Sequence, residues 1–353
     1  MAGLDHPSSR SPRSETGPPR ASAGLYTIWE RSTKRIASGF AFLTLVVLGL
    51  LSAALRPAQV AWWALIPVPI AGASGVYWAM TRVIRQRRSY LREPFPQEWE
   101  AVLQRDVAFF RALEPAERDR FRRQLLVFLR EKRITGVRTD VDTTTLVLVG
   151  ASATIPAFGF TEWEWDQISE VLIYPARFDE HYSFDAGEDR DTLGMVGTGA
   201  MNRVMILVKP DLIRGYRDSK GKHNVGVHEF AHLLDKSDGE LDGSPFVGLD
   251  RQATGPWIEL VRRKMAEIEK GRSDIDGYAL TDESEFFAVA SEYFFTRPEV
   301  MKRKHPDLYA ALQRVFQQDP VARIRSAAQR NGAADQRREG GKAPPLPSQT
   351  SSR

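Results

Sequence analysis

Apolar residues follow three regimes along this chain, and the changes between them mark its organisation. The first regime is continuous. Ile36 to Leu55 is an uncharged apolar run of about the length, roughly 20 residues, that crosses a bilayer core as a helix. After Arg56 and Pro57 a second uncharged stretch, Ala58 to Met80, carries Trp62, Trp63 and Trp78 near its ends, where amphipathic rings favour a membrane interface. Soluble helices rarely run so far without a charge, so the pair predicts a two-span transmembrane hairpin touching lipid through residues 36–80. A cleaved signal peptide does not fit, because the apolar run starts only at Ile36 and no small-residue cleavage site stands out.

The second regime is periodic. Pro96 to Leu113 and Pro115 to Lys132 repeat apolar residues at helical spacing, including Phe121, Leu125, Leu126, Phe128 and Leu129. Val147 to Ile155 is ambiguous between helix and strand. Ile168 to Tyr174 and Val204 to Val208 carry the β-branched, proline-bounded signature of strands. Further helices are expected over about 223–234, 257–270 and 282–295. Helical and extended segments thus alternate, as in one α+β domain. The third regime is polar: the first 25 or so residues are rich in Ser, Pro, Gly and Arg, and the chain ends in PPLPSQTSSR, compositions that predict disorder. The expected partition is a disordered tail over 1–30, the hairpin with its basic flanks over 31–92, a folded domain over 93–325 and a second disordered tail over 326–353.

Charge changes this picture in one respect. Residues 1–92 hold 12 Lys/Arg against 3 Asp/Glu, so the net +4 of the chain leaves the remainder at −5. Arg31, Lys34 and Arg35 precede the first span and Arg82, Arg85, Arg87, Arg88 and Arg92 follow the second, whereas the turn holds only Arg56. The positive-inside rule then puts both flanks in the cytoplasm of a bacterial inner membrane, with the folded domain facing the cytoplasm. The basic excess belongs to membrane orientation, and no nucleic-acid partner is expected. The chain has no cysteine, which excludes disulfides and any Cys-based zinc site.

The candidate chemistry lies at His228-Glu229-Phe230-Ala231-His232. An HExxH run on a helix projects two imidazoles from one face toward a single ion, with a carboxylate beside the open coordination position as general base. Catalytic zinc takes a third protein ligand, often a Glu from a later helix. Glu285 and Glu292 both qualify; being seven apart they share a face, and periodicity does not choose between them. Asp282 and Glu285 also have capping-box spacing, which gives Glu285 a purely structural alternative. Asp235 is a candidate acceptor for an imidazole N–H or simply a turn-end acid. Glu292 fits a carboxylate behind the ligands better than a ligand, and His223 fits a surface position. His6, His181 and His305 show no pattern. Phe286, Phe287, Phe294 and Phe295 read as core. Val204 to Val208 is equally an edge strand open to an extended peptide or an interior one.

The stretches HEFAHLLD, SEFFAVASEYFF and VLIYPARF together resemble the Mlc titration factor A family of zinc-dependent peptidases, similar in their catalytic core to the lethal factor toxin protease, over roughly residues 94–320. The resemblance implies a zincin-like metallopeptidase domain in which His228, His232 and Glu285 hold Zn2+ and Glu229 is the catalytic base. It also places the hydroxyl of Tyr278, in Asp276-Gly277-Tyr278, near the developing oxyanion, with a partly buried loop aromatic as the alternative. Some members block the open position with an additional His, and this chain has none between Asp191 and Arg203. The N-terminal hairpin is a second departure. The expected function is a membrane-anchored zinc peptidase acting on peptide or protein substrates. The alternative is a membrane-tethered protein that binds a cytoplasmic transcriptional repressor, as the family's namesake does, with a structural or regulatory metal. An intramembrane protease is excluded by the charged surroundings of the motif.

Overall fold

In the computed structural model of the chain, residues 27–55, 60–161, 163–176, 194–196, 203–218, 220–238, 242–245 and 251–340 are described. The apolar runs form two helices packed on each other, α1 (Thr27–Ala54) and α2 (Pro67–Met80). Both are apolar and long enough to cross a membrane when α2 is taken with the short 3-10 turn before it, Trp62–Leu65. The proline pair Pro67 and Pro69 makes the second helix begin later than the apolar stretch does, since proline suits a first helical turn and not an interior. Their outer faces are open: Phe42 and Leu50 are each 68% exposed.

Thr81 alone separates α2 from α3 (Arg82–Tyr90). Arg87 of α3 is only 6% exposed. Its guanidinium donates to both carboxylate oxygens of Glu131 and both of Glu164, so a buried cation is fully paired, as burial demands. Arg88 reaches Glu30 of α1. The basic flank of the sequence is therefore a helix fastened on both sides.

The stretch 96–113, predicted as one helix, is two: α4 (Gln97–Asp106) and α5 (Ala108–Ala112). Val107 between them is extended (φ −102°, ψ 92°) and fully buried, so the chain bends there to bury a β-branched side chain that the helical repeat would place otherwise. α6 (Pro115–Glu131) follows as predicted, with Glu117 accepting from the Glu114 backbone N–H at 3.0 Å. The ambiguous 147–155 stretch is helix α7 (Thr143–Ala157), capped by Asp142 on the Thr145 N–H at 2.7 Å and buried along almost all its length. Burial on every side removes the amphipathic signal, which is why periodicity could not separate it from a strand.

The sheet is small and mixed, in the order β1 (Arg133–Gly136), β2 (Glu170–Tyr174), β4 (Val204–Val208), β3 (Gly194–Val196). β1, β2 and β4 run parallel and β3 pairs antiparallel with β4, Gly194 opposite Leu207 and Val196 opposite Met205. Val204 to Val208 is thus an interior strand and not an edge. With period two, Val171, Ile173, Met205 and Leu207 enter the main core, while Tyr174, Ile206 and Val208 make a smaller cluster on the other face.

After α8 (Lys209–Arg217) comes the motif helix α9 (Val225–Asp235), then α10 (Arg251–Glu269), α11 (Glu283–Thr296), α12 (Pro298–Lys304), α13 (Pro306–Phe316) and α14 (Pro320–Gly340). α14 continues helical to Gly340, past residue 326 where composition predicts a disordered tail. Arg330 on it bonds Glu114 and the Ala112 carbonyl, contacts that composition does not encode. Residues 1–26 and 341–353 lie outside the described residues. The domain is mostly helical with a small sheet, an α+β arrangement.

α9 lies between α7 and α11. Where it crosses α7, a Cβ on Gly226 would stand 2.0 Å from Ser152 Oγ, and Ser152 is held by Tyr216 at 3.0 Å and the Leu148 carbonyl at 2.8 Å. Gly226→Ala should therefore destabilise the protein by about 1–3 kcal/mol. Gly255→Ala, on α10 with nothing within 4 Å, should be neutral or stabilising by up to about 1 kcal/mol. Thermal melts of the two variants check this; equal melting temperatures would mean that α9 and α7 do not approach so closely.

Candidate metal centre

α9 owes its position to both faces. Asn224 caps it, its Oδ1 accepting from the Val227 N–H at 3.1 Å. Phe230 packs edge-on against Phe128 (5.6 Å) and Trp165 (4.9 Å), and Ala231, Leu233 and Leu234 fill the same core. The opposite face carries His228 and His232 one turn apart, looking at α11. There the capping alternative for Glu285 separates into two parts: Asp282 Oδ1 accepts the Glu285 backbone N–H at 2.8 Å, while the Glu285 side chain turns to the histidines.

Glu285 Oε2 is 3.0 Å from His228 Nε2 and 3.5 Å from His232 Nε2, and the two Nε2 atoms are 3.2 Å apart. Metal–ligand bonds of about 2.0–2.2 Å at tetrahedral angles put donor atoms about 3.3–3.5 Å from one another. The triangle is within a few tenths of an ångström of that spacing. Among the described residues this is the group of metal-type donors close enough to share an ion.

The outer nitrogens of the rings are also engaged. His228 Nδ1 lies 2.8 Å from Glu292 Oε1, and Glu292 Oε2 accepts the Asn224 backbone N–H. Glu292 is thus placed to accept a proton from His228 Nδ1, and with the proton there Nε2 would offer a lone pair inward to an ion. Glu285 and Glu292, seven residues apart, thus bracket one imidazole, one at each nitrogen. His232 Nδ1 lies 3.0 Å from Ser284 Oγ. Asp235 does not contact the ring as an orienting acceptor; its Oδ2 takes the Gly243 N–H at 2.8 Å, and burial pushes its pKa up to about 6 against the pull of that N–H and of Ser284. Gly243 has φ +72°, and a Cβ there would meet the Glu283 carbonyl at 2.2 Å, so the close approach requires glycine.

The electrostatics favour a cation. Burial opposes charge on His228, yet Glu292 and Glu285 together raise its pKa well above the ordinary value. Burial also raises Glu285, but hydrogen bonds from His228 and His232 hold it down at about 2. Glu229, 4% exposed, is raised by burial.

Tyr278 sits on a 3-10 turn, Gly277–Leu280, with its ring centroid 6.2 Å from that of His228. It is 56% exposed, more open than the alternative of a partly buried loop aromatic, and its ring stands beside His228. His223 is exposed, 3.5 Å from Asp276 Oδ2. Phe286, Phe287 and Phe294 are buried and Phe295 packs partly buried against them. His6, His181 and most of the 191–203 stretch lie outside the described residues. Ser284 is the site residue that sequence reasoning passed over; its position directly before Glu285, facing the second ring, was the available signal.

With this geometry in place, the family comparison is decisive. The model of the family described as glucose-regulated metallo-peptidase M90 matches residues 81–317. The chain belongs to the M90 family. Its matched region begins at Thr81, directly after the apolar helix pair. Relatives of this M90 chain include the Mlc titration factor A of Klebsiella pneumoniae, 30% identical over 251 residues, 67% of this chain and 91% of that protein. That of Pectobacterium atrosepticum is 28% identical over 247 residues, 65% and 89% of the two chains. An uncharacterized Synechocystis protein is 26% identical over 278 residues, 73% and 98%. The M90 domain thus carries a metallopeptidase-like fold and a His-His-Glu cluster compatible with a metal ion.

Removing the acceptor behind His228 should be felt at the ion. Glu292→Gln is expected to weaken binding of a divalent metal ion about 10–100-fold, read by competition with a chromophoric chelator; an unchanged affinity would show that Glu292 does not orient the ring.

Proposed function

We propose that this M90 chain is a membrane-anchored zinc peptidase. The observation that carries the reading is the convergence of three donors at tetrahedral spacing, with both imidazoles held from behind and Glu229 alongside. Two nitrogens and one carboxylate oxygen, with no thiolate in the chain, suit zinc with one position open for chemistry. On this reading residues 93–325 form the peptidase domain and residues 31–92 its anchor.

Bound at His228, His232 and Glu285, zinc supplies the Lewis acidity that polarises a carbonyl and lowers the pKa of water toward about 7. Glu229 takes the proton of the attacking water, and its burial keeps it a strong enough base for that task. The same carboxyl then hands the proton to the leaving amine. Tyr278 donates its hydroxyl hydrogen to the carbonyl oxygen as negative charge develops there. Glu292 and Ser284 keep the rings from turning and so add no step of their own.

Glu229→Gln is expected to retain zinc and to lower peptide cleavage by about 10²–10⁴-fold, and stripping the metal with a chelator should abolish cleavage until zinc is restored. Cleavage by the variant at the wild-type rate would remove Glu229 from the mechanism; cleavage that survives stripping would remove the metal.

The apolar pair α1 and α2, with its open outer faces and basic flanks, supports anchorage with both flanks and the peptidase domain on the cytoplasmic side. The relatives' name, Mlc titration factor, makes a transcriptional regulator the macromolecular partner to examine alongside peptide substrates. The full chain should stay with membranes through an alkaline carbonate wash, and a chain beginning at Thr81 should not. Release of the full chain into the supernatant would contradict the anchor.

A further inference from the structure

Asp274 lies outside the donor cluster, on the segment joining α10 to the Tyr278 turn. Its Oδ2 accepts from Lys222 Nζ, Lys304 Nζ and the Tyr293 hydroxyl, each at 2.9 Å, and its Oδ1 faces His305 Nε2 at 2.8 Å. Lys222 Nζ also donates to the Asp274 backbone carbonyl. Burial works to raise the carboxyl pKa, but these hydrogen bonds outweigh it and hold the group well below the usual carboxylate range. Asp274 is therefore an anion at any working pH.

Its partners come from separate parts of the fold. Lys222 stands two residues before Asn224, the cap of α9, and its own carbonyl is bonded by Thr296 at 3.2 Å. Tyr293 is on α11, next to Glu292. Lys304 and His305 end α12. Asp274 thus fixes the start of its segment to the approach of α9 and to α11, the two helices that carry the donors. The segment is held further along as well: Ile275 and Ala279 are buried, Asp276 accepts the Tyr278 N–H at 2.9 Å, and Thr281 bonds the Tyr278 carbonyl at 2.8 Å. Between those anchors only the exposed face of the turn, with Tyr278 on it, projects toward His228.

We propose that Asp274 is a positioning residue for Tyr278: its charged hydrogen-bond hub locks the turn to α9 and α11, so that the phenol ring stays beside His228 although more than half of it is exposed. An oxyanion donor is effective only when preorganised, which requires that the turn carrying it be fixed to the elements that carry the donors. The inference rests on the reading of Tyr278 as that donor.

Two measurements on the full-length, zinc-loaded chain test it. In Asp274→Asn, amide hydrogen exchange over residues 275–281 should speed up about tenfold while α9 stays protected, because one local tether is lost and the fold is not. With a quenched-fluorescence peptide that the wild type cleaves, Asp274→Asn should lower kcat about tenfold, with KM and zinc content little changed, yet cost less than about twofold when added to Tyr278→Phe. Lys304→Met, which removes one exposed member of the hub, should show the same pattern at smaller size. Unchanged exchange over 275–281, or the same fold-loss with and without the phenol, overturns the proposal. Full kcat in Tyr278→Phe alone would instead sink the oxyanion reading, and the exchange comparison would still decide whether Asp274 pins the turn.

Discussion

Two imidazole Nε2 atoms 3.2 Å apart, with a carboxylate oxygen at 3.0 and 3.5 Å from them, form an arrangement that a cation between them would stabilise. Three carboxylates, those of Glu229, Glu285 and Glu292, are gathered around these rings in a largely buried place. Isolated buried charge costs several kcal/mol per ion even after relaxation. A divalent ion at the centre offsets most of that negative charge at once. The raised pKa of His228 records the same demand when a proton is the only cation on offer. Without a cation such a cluster would be costly to bury, and the surrounding helices hold it in place.

They do so through α7. This helix is buried almost throughout, so it serves as a fixed platform rather than a surface element, and α9 seats on it at glycine-to-serine distance. On the far side α11 presents Ser284, Glu285 and Glu292 in two turns, reaching both rings. Local and global preferences agree here: Asp282 and Asn224 start the two helices with their own side chains, and those same starts place Glu285 and receive Glu292. Consistency of this kind is what gives a site one geometry rather than several.

Much of this was legible in sequence because periodicity and motif spacing are local. The HExxH face, the shared face of Glu285 and Glu292, the strands at 170–174 and 204–208, and the apolar pair all follow from residues within a few turns of one another. What was not legible depends on distant partners. Whether the Glu285 side chain turns back to cap its helix or out toward the imidazoles depends on His228, fifty-seven residues away. Ser284 resembles any polar residue in a first turn until His232 is placed beside it. Val107 breaks a helix because the core needs its side chain, β1 and β3 are too short to show an alternation, and Asp274 reads as one more loop acid. The uniformly buried α7 lost its periodic signal for the same reason that makes it a good platform.

The connection between anchor and domain is physically short. α2 passes into α3 across a single residue, Thr81, whose hydroxyl bonds the Tyr77 carbonyl at 2.7 Å and accepts from Arg85 at 2.6 Å. Six residues later Arg87 is locked between Glu131 at the end of α6 and Glu164. Removing one partner from such a buried, fully paired cation typically costs about 3–5 kcal/mol, so this joint does not act as a flexible tether. At about 1.5 Å of rise per helical residue, the distance from Met80 to Arg87 is only about 10 Å. If α1 and α2 cross the bilayer, the domain is then held at a fixed height and tilt above the headgroups. Membrane attachment would in this way set the orientation of the whole domain, through the rigidity of one arginine and two glutamates.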